Sequence, residues 1–128
     1  MLLNVQTSPG EFLDKLTILE IKSERIADPA KLANVRRELE LLRATWAASP
    51  LAARDVSALL AGLRAANEAL WEVEDRLRAC EAGQRFDAEF VELARTVYRT
   101  NDRRAAIKRQ LNLQLGSDLL EEKSYTPY

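Results

Sequence analysis

Apolar residues recur every three or four positions along most of this chain, and four stretches carry that rhythm separately. Residues 9–27 hold Phe12, Leu13, Leu16, Ile18, Leu19, Ile21 and Ile26. Residues 29–47 hold a narrower seam of Leu32, Val35, Leu39, Leu42 and Trp46. Between 50 and 82 the steps run without a miss through Val56, Leu59, Leu63, Ala66, Leu70, Val73, Leu77 and Cys80, the a/d spacing of a coiled-coil-like helix. Residues 86–115 carry Phe86, Phe90, Leu93, Val97, Ile107 and Leu111. A period near 3.6 in all four predicts helices, the last one roughly 45 Å long at 1.5 Å rise per residue.

The punctuation between the stretches agrees. Ser8-Pro9-Gly10-Glu11 offers a capping serine, a proline at the first helical position and a glutamate placed to close a capping box. Asp28-Pro29 and Ser49-Pro50 repeat the capper-plus-proline start. Gly83-Gln84-Arg85 is short enough to make the third and fourth helices antiparallel neighbours, with Asp87 as the cap of the fourth. Gly116 suits a left-handed stop, Asp118–Glu121 reads as a last helical turn, and Ser124–Tyr128 reads as an extended tail. The β-branched centre of the first stretch has no partner strand, so the expected fold class is all-α. It is a small helical bundle built on a long antiparallel hairpin (about 50–82 and 86–115), with two shorter N-terminal helices, in one domain over 1–128.

Two departures from simple amphipathicity stand out. The first helix is apolar around most of its circumference, so it must be covered on several sides, by its own bundle or by a second copy. Trp71, off the seam of the third helix, points the same way, and together they lead us to expect a homodimer. The second departure lies in the fourth helix. Between Val97 and Ile107 its apolar stripe is replaced by Thr100 and Arg104, flanked by Asn101 and Lys108.

A polar turn on a core-facing side needs partners, and the first helix supplies Asp14, Lys15, Thr17, Glu20 and Ser23. Two readings stay open. In one, Asp14 and Glu20 satisfy Arg104 and Lys108, with Asn101 bridging, in an ion-pair network that fixes helix register. In the other, Asp14, Lys15, Glu20, Asn101, Arg104 and Lys108 form a ligand site for phosphate or carboxylate. The antiparallel hairpin should also set Glu68, Glu72 and Asp75 beside Arg95, Arg99 and Arg103, relieving the repulsion among arginines four apart.

Composition narrows the chemistry. The 128 residues are 47% hydrophobic and 30% charged, and 19 cations against 20 anions leave a net charge of -1. That balance gives no general attraction to nucleic acid or to an anionic membrane, and no run is apolar enough to span one. Met1-Leu2-Leu3-Asn4 lacks the basic and apolar regions of a signal peptide, so none is expected, and the expected location is cytoplasmic. There is no histidine, which removes imidazole general-base and Ser-His-Asp chemistry and argues against zinc. Cys80, the single cysteine, falls on the helical seam and reads as a small buried hydrophobe. Glu72-x-x-Asp75 and Glu89-x-x-Glu92 bring to mind the paired carboxylates of all-α nucleotide pyrophosphohydrolases. Their order is reversed and arginines crowd them, so neither a metal nor another cofactor is expected.

Several segments resemble a family of small, predominantly helical bacterial proteins grouped as a domain of unknown function. They are Gly10-Glu11 with Asp14–Lys22, Trp71–Asp75, Tyr98–Arg104 with Ile107-Lys108, and Gly116-Ser117 followed by Glu121–Tyr125. The resemblance implies a helical, cytoplasmic protein, some relatives of which accompany glycosyltransferase or tetratricopeptide proteins. It implies no catalytic residues, but it marks the Glu121–Tyr125 tail as part of the pattern and so as a segment that folds back on the bundle. The expected function is a non-catalytic binding or assembly module for a partner protein or an anionic metabolite such as a sugar nucleotide or phosphosugar. The alternative is a small all-α enzyme that uses an Arg/Lys/Glu/Asn site between the first and fourth helices electrostatically on a phosphate- or carboxylate-bearing substrate, an analogy of architecture only with the all-helical chorismate mutases.

Overall fold

The computed structural model describes all residues 1–128 and has helices but no strands: α1 (Pro9–Arg25), α2 (Pro29–Ala48), α3 (Ser57–Ala82) and α4 (Ala88–Gln114). None of these helices is long and apolar enough to cross a membrane. The starts are capped as the sequence prescribes. Ser8 Oγ accepts from the Glu11 N–H at 3.2 Å, Asp28 from Lys31 at 2.9 Å and Asp87 from Phe90 at 3.2 Å. The reciprocal half of the capping box is not made, because the Glu11 carboxylate is turned toward Lys108 on α4.

The third helix starts later than its pattern suggests. Ser49-Pro50 does begin a helical turn, but it is a separate 3-10 turn over Pro50–Ala53, after which Arg54 goes extended. Asp55 then accepts hydrogen bonds from the N–H and hydroxyl of Ser57 at the entry to α3. The break lets the chain reverse from α2 into α3 while Val56 stays buried at the junction.

The α3–α4 turn ends in a Schellman arrangement, with Arg85 N–H bonded to the Cys80 carbonyl at 2.9 Å. Its left-handed residue is Gln84, at φ 53°, rather than Gly83. Phe86 lies before α4 and packs edge-on against Phe90 with ring centroids 5.2 Å apart. Helix α4 ends the same way. Gly116 has φ 66°, and the Ser117 N–H reaches the Asn112 carbonyl at 2.9 Å. The expected helical turn at Asp118–Glu121 does not form. The chain beyond Ser117 runs back extended along α4, for reasons given below.

Helix α1 is the centre of the packing, touching α2, α3 and α4, whereas α2 touches only α1 and the 3-10 turn. Its all-round apolarity therefore has its explanation within one chain: Leu13, Leu16, Leu19 and Ile21 are each buried by a neighbouring helix. The main core joins Leu13, Leu16 and Leu19 to Leu39, Val56, Leu63, Leu111 and Leu115. A smaller cluster of Val73, Cys80 and Leu93 holds the far end of the hairpin, where only α3 and α4 remain. Gly62 lies against Ile107, which fixes the hairpin register the short turn demands.

At the opposite end α1 docks on α4 through a backbone approach that excludes any side chain. A Cβ on Gly10 would sit 2.5 Å from the Lys108 carbonyl oxygen and 2.8 Å from Asn112 Oδ1. The space it lacks lets the Gly10 N–H donate to Asn112 Oδ1 at 2.7 Å, a buried bond between positions 102 residues apart.

A buried ion-pair network and the cleft beside it

The polar turn of α4 meets the polar face of α1, and the meeting is specific. Asp14, 1% exposed, receives Arg104 as a two-pronged partner, Nε at 2.9 Å and Nη2 at 2.5 Å. The remaining Arg104 nitrogen donates to Asn101 Oδ1 at 3.3 Å. From α3, Asn67 Nδ2 donates to Asp14 Oδ1 and to Thr17 Oγ1, both at 2.9 Å, and Thr17 in turn donates to the Asp14 carbonyl at 2.8 Å. Three helices are thus tied at one carboxylate. Burial pushes the Asp14 carboxyl up, but the hydrogen bonds from Arg104 and Asn67 and the charges of Arg104 and Lys108 outweigh it and hold it below the usual aspartate value.

Lys108, one turn further along α4, is also buried. Its ammonium lies 2.6 Å from a Glu11 carboxylate oxygen and 3.0 Å from Glu121 of the tail. Burial alone would lower its pKa; the hydrogen bonds it donates to two carboxylates reverse the balance and raise it.

Glu121 explains the course of the tail. A helical turn at Asp118–Glu121 would compete with its pairing to Lys108, which anchors an extended strap antiparallel to α4. Arg109 pairs with Glu122 at 3.3 Å, and the Tyr128 hydroxyl donates to Asp102. The Tyr128 ring stands edge-on to Tyr98 at 5.3 Å. No backbone–backbone hydrogen bond holds the strap beyond Ser117; side chains alone keep it in place.

Where the strap crosses α4 it roofs a cleft of about 570 Å³. Val97, Tyr98, Asn101, Asp102 and Arg104 line it from α4, and Lys123, Tyr125, Thr126 and Tyr128 from the strap. A smaller adjoining cavity of about 180 Å³ shares Asn101, Arg104 and Lys123 with the cleft and adds Lys108, Glu11 and Glu121. The size of the cleft falls in the range of small-molecule sites.

Of the six residues expected to form a site, Asp14, Asn101, Arg104 and Lys108 come together. Lys15 and Glu20 do not. Lys15 points to α2 and pairs with Glu38 at 2.7 Å, and Glu20 pairs with Arg64 of α3 at 3.0 Å. Both lie on flanks of α1 turned toward α2 and α3, out of reach of α4. The residues that take their places were missed: Asn67, Glu11, Asn112 and the strap's Lys123 and tyrosines. An asparagine in the middle of α3, where its side chain competes with helix formation, was the legible signal for Asn67.

The proposed pairing of acidic α3 with basic α4 is also overturned. Glu68 bonds Arg64 on its own helix, Glu72 reaches Arg25 of α1, and Arg95 and Arg99 share Glu92. The rows diverge because each faces outward from the hairpin. The ion pair linking α3 and α4 is Arg76 with Glu89 at 2.9 Å. Trp71 is half-buried at the edge of a second cleft of about 360 Å³, beside Ile18, Ile21 and Leu70. Nowhere do three or more acidic or cysteine side chains converge as a metal would need.

Fold and site together define a small helical bundle whose C-terminal strap closes a polar, tyrosine-lined cleft over a buried ion-pair network. The chain belongs to the family of unknown function DUF6165, which it matches over residues 3–128. Comparison with curated proteins and with solved structures finds no match.

Proposed function

We propose that this protein is a non-catalytic binding module that holds an anionic small molecule, of the phosphosugar or sugar-nucleotide kind, between α4 and the C-terminal strap. The observation that carries this reading is the cleft itself. It is of ligand size, and the half-exposed Lys123, bridged only loosely to Glu121 at 3.5 Å, lines it beside Asp102 and the Asp14-bound Arg104. Asn101, Thr126 and the tyrosine hydroxyls supply the neutral partners that orient a hydroxylated ligand.

Binding is favoured over catalysis by the electrostatics of the neighbouring groups. Asp14 and Glu121 are lowered by their cationic partners and Lys108 is raised by its carboxylates, so each is moved away from neutrality. A general acid or base is tuned toward it. The family resemblance, with relatives that accompany glycosyltransferase proteins, agrees in kind with a sugar-phosphate ligand.

Thermal-shift measurements with phosphate, phosphosugars and sugar nucleotides test the reading. A ligand at 100 times its Kd stabilises the fold by about 2.7 kcal/mol, a rise of several degrees. Melting temperatures unmoved by every one of these compounds at millimolar concentration would refute it.

A further inference from the structure

The cleft is divided chemically. Its wider part is aromatic. The chain has three tyrosines, and all three, Tyr98, Tyr125 and Tyr128, line it. Its narrower annex is ionic: Lys108, Arg104 and Lys123 stand there with the carboxylates of Glu11 and Glu121. Arg104, Asn101 and Lys123 belong to both parts and join them.

Two of the tyrosines are fixed. Tyr98 and Tyr128 meet edge-to-face, and the Tyr128 hydroxyl is tied to Asp102. Tyr125 is as exposed as Tyr128, but it makes no ring–ring contact and no hydrogen bond within the chain; the Lys123 ammonium lies 5.7 Å from its ring centroid. A ring on a segment without backbone hydrogen bonds is ordered there at an entropic cost, with little packing within the chain to offset it.

A flat ring stacked on Tyr125 would supply the missing contact, and the ammonium beside it would meet an anionic group attached to that ring. A purely cationic guest, which aromatic cages otherwise favour, would have to share the space with Arg104 and Lys123. A phosphosugar alone would fill only part of the 570 Å³ and leave the aromatic end wet.

From this division, and resting on the reading of the cleft as an anion site, we propose that its ligand is a nucleotide. The base stacks on Tyr125 between the strap and Tyr98, and the phosphates reach Lys123, displacing Glu121 from its 3.5 Å pairing there. The strap therefore contributes both the stacking platform and a phosphate-binding cation, and the bound nucleotide orders it.

Isothermal titration of the full chain with uridine diphosphate, adenosine diphosphate, glucose 1-phosphate and inorganic phosphate tests the assignment. A nucleoside diphosphate should bind at least tenfold more tightly than either base-free probe. Tyr125→Ala lies on an exposed strap and leaves the helical core intact. It should weaken nucleoside diphosphate binding by about tenfold, as expected for loss of one base–aromatic stack, while changing phosphate binding less than twofold. Lys123→Ala should weaken every phosphorylated probe. Glucose 1-phosphate binding as tightly as the nucleotides, or nucleotide affinity unchanged in Tyr125→Ala, would overturn the nucleotide assignment and leave the anion site standing. No binding by any of the four probes would remove the anion site as well.

Discussion

Replacing Asp14 by Asn tests the network at its centre with almost no change of shape. Asp14 has 2% of its side chain exposed and Arg104 has 27%. Removing one charge of a buried pair costs about 3–5 kcal/mol, chiefly because the other is left desolvated without a counter-charge. Here the guanidinium is partly wet, and the new amide oxygen still accepts one hydrogen bond, which places the expected loss near the lower end, about 3 kcal/mol. For a chain of this size that corresponds to a fall in Tm of roughly 10 °C.

Urea unfolding followed by far-UV circular dichroism gives the loss directly, provided the m-value is unchanged. The double variant Asp14→Asn with Arg104→Met should lose at least about 1 kcal/mol less than the sum of the single variants, because the second substitution removes the stranded charge. The pH dependence carries a sign as well. The Asp14 carboxyl is held below its ordinary value of 3.8, so its contribution is complete above that pH. The contribution is lost as pH falls through the depressed native value. Wild type and Asp14→Asn should therefore converge in acid and differ most at neutral pH. A loss under about 0.5 kcal/mol at pH 7, or strict additivity in the double variant, would refute the view that this pair ties α1, α3 and α4 together.

Further outcomes follow from other parts of the structure. Gly10→Ala should cost at least about 2 kcal/mol in the same urea assay, since the new methyl meets backbone as well as the Asn112 side chain and the helices must separate to admit it. Gln84→Gly should stabilise by about 0.5–1 kcal/mol by relieving a left-handed residue in the α3–α4 turn. Glu121→Gln weakens the Lys108 anchor and should speed tryptic cleavage after Lys123 several-fold, with the core helices still protected. Cys80, 1% exposed, should react with a thiol reagent only after unfolding, and fast labelling of the native protein would place it outside the α3–α4 seam.

Local interactions explain what the sequence determined by itself. Helix identity, the capping serine and aspartates, the stop at Gly116 and the antiparallel hairpin all depend on residues within a few positions of one another. They could be read from spacing alone. The same holds for the polar turn of α4: its conflict with the apolar stripe pointed to Asp14, Asn101, Arg104 and Lys108, and these do assemble.

What the tertiary structure decided is how each helix is rotated and crossed against its neighbours. A helix presents every residue to some direction, and spacing along one element does not say which neighbour lies there. Rotation and crossing turned Lys15 to α2 and Glu20 to α3, sent Glu72 to Arg25 instead of the α4 arginines, and brought Asn67 onto Asp14. The strap is the extreme case. Its sequence carries no period, and its path is set by partners on α4 distant in sequence: Lys108 for Glu121, Arg109 for Glu122 and Asp102 for Tyr128. From that path follow the cleft and the gathering of its three tyrosines.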